Sequence, residues 1–220
     1  HLTYLDVRML DTPAIGIQQS LAEVAEMGNH TQKMFRFLRE IVTSKTPDEG
    51  LIKKLFHREE VLDIVQKEVT EFLGNMLSGN VSHDVVERGR EQLRMADEYE
   101  SISDYLANIL KFHIKLRKEE MFFSAQENGE LLELHDRVDS YVQMITEGVK
   151  EDHPEIISKA HVEGDSITFV IKELRTKHLE RVSEKATTPL HSLIYTDILN
   201  AYRRVKDHAQ NIAEALAGEK

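Results

Sequence analysis

A stretch of twelve residues comes back in altered form near the C-terminus, and this repeat limits the possible folds more than anything else in the chain. Glu98-Tyr99-Glu100-Ser101-Ile102-Ser103-Asp104-Tyr105-Leu106-Ala107-Asn108-Ile109 aligns without gaps on Ala201-Tyr202-Arg203-Arg204-Val205-Lys206-Asp207-His208-Ala209-Gln210-Asn211-Ile212. The aromatic, the Asp, the Asn and the Ile recur at an offset of 207 − 104 = 103 residues. That period is the length of a sub-domain, not of a solenoid unit. On a helix, Asp97, Glu100, Asp104, Asn108 and Lys111 share one polar stripe, and Tyr99, Ile102, Leu106, Ile109, His113 and Leu116 form the apolar stripe beside it. Asn200, Arg204, Asp207, Asn211 and Glu214 repeat the polar stripe beside Ile194, Ile198, Ala201, Val205 and Ile212.

Helical spacing extends over most of the chain. With only four Pro and ten Gly in 220 residues, long uninterrupted helices are allowed and a turn-rich β fold is not. Thr12-Pro13 opens a first helix ending near Ser44, in which Gly28-Asn29 marks a bend or a close helix contact. Thr46-Pro47-Asp48-Glu49 starts a second helix that runs to Ser78, and Ser82 caps a third that runs to about Glu120. A fourth is expected from about Gly129 to Lys150, a fifth from Glu155 to about Ser183, and a sixth, capped at Thr187-Thr188-Pro189, to about Ala217. The expected organisation is an extended leader over 1–11, one three-helix repeat over 12–120, a connector over 121–128 and a second repeat over 129–220. Long helices joined by short turns pack antiparallel, so the fold class is all-α: six long antiparallel helices as two tandem three-helix bundles.

Charge and cysteine usage remove several function classes. A formal charge of −11 argues against nucleic acid as a partner, since phosphate neutralisation needs a basic face. The basic run Lys111, Lys115, Arg117 and Lys118 suits the last turns of a helix, where cations complement the dipole. The absence of Cys excludes disulfides and thiolate metal sites and points to a reducing, cytoplasmic setting. The longest uncharged runs are about half of the ~20 residues a spanning helix needs. The start at His1, without an initiator Met or a signal pattern, is read as an excised piece of a longer protein.

The chemistry legible in the residues is limited. Glu100 and Asp104, at i and i+4, project from one helix face and could share a cation through oxygen ligands, with Asp207 at the equivalent place in the second copy. None of the eleven His follows a Glu by three residues, and there is no His-Glu-x-x-His motif, phosphate-binding loop or nucleophile elbow. His178 and His208 read as partly buried helical histidines. Asn108 and Asn211 are expected to hydrogen-bond between packed helices, and Arg203 and Asp207 to form a surface ion pair.

Taken together, the two closing helices resemble those of the PhoU family of all-helical phosphate-regulation proteins, whose repeats end on acidic-Leu-Glu-Arg-Ile-x-Asp-x-x-x-Asn-Ile. Leu5-Asp6-Val7-Arg8-Met9-Leu10-Asp11-Thr12-Pro13-Ala14, together with Lys177-His178-Leu179-Glu180-Arg181-Val182, Pro189 and Tyr195-Thr196-Asp197-Ile198-Leu199, is similar to the C-terminal PhoU-like region of sodium/phosphate cotransporter family proteins. The resemblance implies a non-catalytic regulatory domain on the cytoplasmic side of a membrane, modulating phosphate transport. As partners it implies a membrane-embedded transporter segment upstream in the same polypeptide, with phosphate-signalling proteins and a second copy of the chain as further candidates. No cofactor is required by it; iron or zinc is the cation that metal-binding relatives suggest for Glu100, Asp104 and Asp207. Here Arg203 stands where the family has Glu, and Gln66-Lys67-Glu68-Val69-Thr70 and Gly164-Asp165-Ser166-Ile167-Thr168 lack the family's second-helix carboxylates. A stand-alone PhoU-type adaptor and a metal-dependent helical enzyme are the alternatives.

Overall fold

The computed structural model describes residues 4–5, 12–46, 48–184 and 188–219. Apart from Tyr4 and Leu5, the expected leader lies outside the described residues, as do Pro47 and Thr187. Six helices make up the fold: α1 Pro13–Thr43, α2 Glu49–Leu77, α3 His83–Lys118, α4 Ala125–Lys150, α5 Ile156–Glu184 and α6 Pro189–Leu216. Most of the starts have a local cause. Pro13 pre-sets the first turn of α1, although Thr12 makes no side-chain cap bond. Asp48 accepts from the Gly50 amide at 2.7 Å, and the Ser82 and Thr188 side chains accept from Val85 and His191.

The fourth helix departs from the expectation. It begins at Ala125, so half of the expected 121–128 connector is helix. Ser124 and Glu127 form a reciprocal capping box, with the Glu127 amide donating to Ser124 Oγ at 3.2 Å and the Ser124 amide donating to Glu127 Oε2 at 2.9 Å. The remaining connector does not stand apart from the body: Phe123 is buried and meets His113, His191 and Tyr195 edge-on.

α1, α2 and α3 pack on one another, as do α4, α5 and α6, and the two bundles join along α3 against α6 and α1 against α4. The contact between α3 and α6 is the most extensive in the molecule, so the two halves share one continuous core. The aromatics of the repeated motif anchor it. Tyr99 is fully buried and its hydroxyl lies 2.9 Å from Thr146 Oγ1 on α4. Its equivalent Tyr202 donates to His135 Nδ1 at 2.8 Å, and the other ring nitrogen of His135 donates to the Phe35 carbonyl on α1 at 3.0 Å. With one nitrogen accepting and one donating, His135 is held as neutral imidazole. Burial first, against a weaker raising effect of Asp136, pushes its pKa down to about 4.

Gly28 resolves the choice between a bend and a close contact: it sits where α1 crosses α4 and α3. A Cβ there would lie 2.7 Å from Thr146 Oγ1 and 3.0 Å from the Tyr99 hydroxyl, and closer still to Thr146 Cγ2. No described helix is both long and apolar enough to cross a membrane.

Candidate functional site

The polar stripe of α3 faces α2, and the two helices run antiparallel with carboxylates opposed. Asp104 lies within hydrogen-bond reach of Glu59 and of Glu100, Asp63 acts electrostatically on Glu100, and Gln66 donates to Asp97 at 2.6 Å. The arrangement reads as a ladder: Glu59 opposite Asp104, Asp63 opposite Glu100, Gln66 opposite Asp97. Lys67 compensates part of the charge by pairing with Asp63 at 2.7 Å. Partial burial, then Asp104 and Asp63, pushes the Glu100 carboxyl up to about 7, and burial with Asp104 raises Glu59 in the same way. Glu100 thus keeps its proton in the folded state over the window from 4.5 to about 7, where the unfolded chain releases it. The cluster therefore withdraws stability as pH rises through that window.

Removing one carboxylate tests this. Asp104→Asn is expected to raise stability at pH 7.5 by a few tenths to about 1 kcal/mol, the small size reflecting solvent screening of a half-exposed cluster. At pH 4.5 the gain should vanish. Urea unfolding at the two pH values measures it, and an equal effect at both would show that the carboxylates do not oppose one another.

The two halves diverge at this site. Asp207, the second-copy equivalent of Asp104, pairs on α6 with Lys206 at 2.6 Å and Arg203 at 3.8 Å. The Arg203–Asp207 ion pair is thus present, but Asp207 does not join the other two. Among the described residues, the only group of three or more His and carboxylate side chains whose ligand atoms all lie within 4.8 Å is His161, Glu214 and Glu219. There Arg94 takes up Glu214 at 3.3 Å. Where the first half pairs Gln66 with Asp97, the second pairs Arg175 with Asn200. One seam is acidic and the other carries guanidinium groups.

The two asparagines also part company. Asn211 donates across the α3–α6 seam to Glu98 Oε1 at 3.1 Å, as expected, whereas the contact of Asn108 is with Lys111 of its own helix at 3.5 Å. His208 bonds Glu98 at 2.5 Å and stacks on Tyr105 with ring centroids 5.5 Å apart. His178 is buried, stacked on Tyr195 at 4.4 Å and bonded to Ser192 at 2.9 Å. Arg117 turns away from solvent and donates to the carbonyls of Ile41 and Ser44, closing the C-terminus of α1.

Helix order, the doubled plan and the α2–α3 carboxylates together invite comparison with known folds. Residues 24–112 match the family model described as the PhoU domain. That match lies wholly within the first three helices. The match takes in Glu59, Asp63, Glu100 and Asp104 and stops before Asp207. Over the whole fold the chain superposes on the crystal structure of the phosphate transport system regulatory protein PhoU from Streptococcus pneumoniae, with a TM-score of 0.81 and 13% identity over 93% of this chain and 95% of that one. It also superposes on PhoU from Pseudomonas aeruginosa, with a TM-score of 0.71 and 14% identity over 94% and 96%. At such identities the PhoU likeness is one of fold. A search of curated proteins found no match.

The carboxylates Glu59 and Asp63 are the site residues that sequence reasoning missed. The signal was present as an acidic pair at i and i+4 on α2, two turns before the place where the PhoU motif would put its carboxylates. Only the register of α2 against α3 shows that this pair meets Asp104 and Glu100.

Proposed function

We propose that this chain is a non-catalytic regulatory module of phosphate transport, attached on the cytoplasmic side to a transporter that couples sodium to inorganic phosphate uptake. The observation that carries the regulatory part is the PhoU domain over residues 24–112, within a fold matching a phosphate transport regulator along nearly its whole length. The sodium-coupled part rests on the similarity of residues 5–14 and of the α5–α6 motifs to cotransporter C-terminal regions. Regulation requires that the helix faces of the module bind two transporter states with different free energy.

A second reading has an observation in its favour. The two PhoU structures named above match over at least 95% of their own length and are PhoU proteins by name, which makes a PhoU-type adaptor the alternative. The complete reading frame separates the two: several apolar spans of ~20 residues upstream of His1 mean the cotransporter, and none means the adaptor. In the cotransporter case, deleting residues 12–220 is expected to change radiolabelled phosphate uptake by about fivefold or more. Unchanged uptake would sink the regulatory role.

The α2–α3 carboxylates are the place on this module for a cation. Oxygen donors crowded enough to hold a proton at Glu100 suit a hard or borderline ion, with Glu100 and Asp104 as ligands and Glu59 and Asp63 opposite. Asp207, already neutralised by Lys206 and Arg203, does not fit the set. Iron or zinc held there would neutralise the repulsion within the seam, and elemental analysis should find it lost in the same Asp104→Asn variant.

A further inference from the structure

The 103-residue offset maps α3 onto α6 across the seam where the two helices pack. Tyr105 stacks on His208, its own repeat equivalent, so the approximate two-fold axis relating the halves passes between these rings. On one side of the axis the seam is closed by polar contacts. Glu98 bonds both Asn211 and His208, and Arg94 pairs with Glu214.

On the other side the equivalents are Ala201 for Glu98, Asn108 for Asn211, Asp197 for Arg94 and Lys111 for Glu214. Ala201 ends at Cβ, so no carboxylate reaches Asn108. Lys111 lies against Asn108 Oδ1 and over the Phe56 ring, 5.9 Å from its centroid, instead of pairing with Asp197. A cavity of about 470 Å³, open to solvent, lies where the first side is closed. It falls in the size range of small-molecule sites.

Its lining has a definite chemistry. Arg203 engages Asp207 through Nε and Arg204 engages the Tyr105 hydroxyl through Nε, which leaves the terminal nitrogens of both guanidinium groups without a hydrogen bond among the described residues. With its oxygen facing Lys111, Asn108 offers its amide nitrogen as a further donor. Asp197 supplies one carboxylate, and Tyr105, Phe112 and Ala201 supply apolar surface. Two forked cations and an amide suit an oxyanion, and the carboxylate suits a hydroxyl or ammonium donor on the same molecule. We propose that this cavity binds a small organic oxyanion, a phosphomonoester or a carboxylate bearing such a donor, with its anionic group in the position that Glu98 occupies across the two-fold axis. The inference does not depend on the transport reading.

Calorimetric titration of the full chain at low ionic strength with adenosine monophosphate and with citrate tests it, the first probing the phosphomonoester and the second the carboxylate. At least one is expected to bind with a dissociation constant below about 1 mM. Affinity should fall about tenfold or more in Arg203→Gln/Arg204→Gln, whose side chains are exposed and whose replacement leaves the core intact. Ala201→Glu reaches into the cavity from a buried position and is expected to cost some stability, but it supplies the missing carboxylate within the chain and should abolish binding at temperatures where the variant is folded. No binding of either probe up to about 10 mM, or binding unaltered in the double arginine variant, would overturn the proposal.

Discussion

Gly28→Val is expected to lower the melting temperature by roughly 6–12 °C. The added side chain would enter the space held by Thr146 and the Tyr99 hydroxyl, at a place where α1, α3 and α4 meet. Overpacking of this kind costs about 1–3 kcal/mol, and separating the buried Tyr99–Thr146 pair adds about 1–3 kcal/mol. The better helix propensity of valine returns only about 0.4 kcal/mol. A net loss near 3 kcal/mol corresponds to that shift for a chain of this size. Gly74 is the control, because nothing stands within 4 Å of a Cβ built there. Gly74→Ala should raise stability by up to about 1 kcal/mol, since only the propensity term remains. Thermal melts of the two variants with opposite signs would support the crossing as described. A Gly28→Val protein melting within about 2 °C of the parent would mean that α1 does not approach α4 at this point.

The second large effect is on acid stability. His113 is buried against Phe123, and burial first, then Arg117, pushes its pKa down to about 3. It stays neutral in the folded protein while the unfolded chain takes up a proton below the ordinary value of 6.5. A lowered histidine pKa therefore contributes stability that is present above 6.5 and lost progressively as pH falls toward 3. From pH 6.5 to 4.5 the loss attributable to this group is at most about 2.7 kcal/mol. His135 and His30, both lowered to about 4, act in the same direction. Glu100, raised to about 7, and Asp139, raised to about 6, act in the opposite one, so the parent's own pH profile mixes the two signs.

A variant difference isolates His113. His113→Leu should be less or more stable than the parent by some constant amount at pH 7 and above, set by packing. Relative to that baseline it should gain about 2 kcal/mol by pH 4.5, as the parent alone loses the contribution of this residue. Urea unfolding at pH 7.5, 5.5 and 4.5 measures the change. A difference between the two proteins that stays flat across that range would contradict a buried neutral imidazole at this position.

Much of the architecture was legible in the residues because it depends on short-range physics. The apolar stripe through Tyr99, Ile102, Leu106 and Ile109 is buried, and helix starts at Pro13, Ser82 and Pro189 follow from local chemistry. The start of α4 is readable on the same grounds, since Ser124-Ala125-Gln126-Glu127 is a capping box, and it lies four residues before the expected start near Gly129. A glycine that meets nothing within 4 Å is merely tolerated inside a helix, and two reciprocal hydrogen bonds outweigh it.

The sequence alone determined that the chain is helical and built as a doubled plan, because periodicity, caps and repeat offset are properties of neighbouring residues. Which polar groups meet was decided only by tertiary structure. The register of α2 on α3 brings Glu59 and Asp63 to Asp104 and Glu100, while Asp207 is diverted to Lys206 and Arg203. The same repeated asparagine is bonded across the seam at 211 and beside a cavity at 108, because its opposite number is Glu98 in one case and Ala201 in the other. Partners far apart in the chain are set by helix crossing and rotation, and no local pattern encodes either.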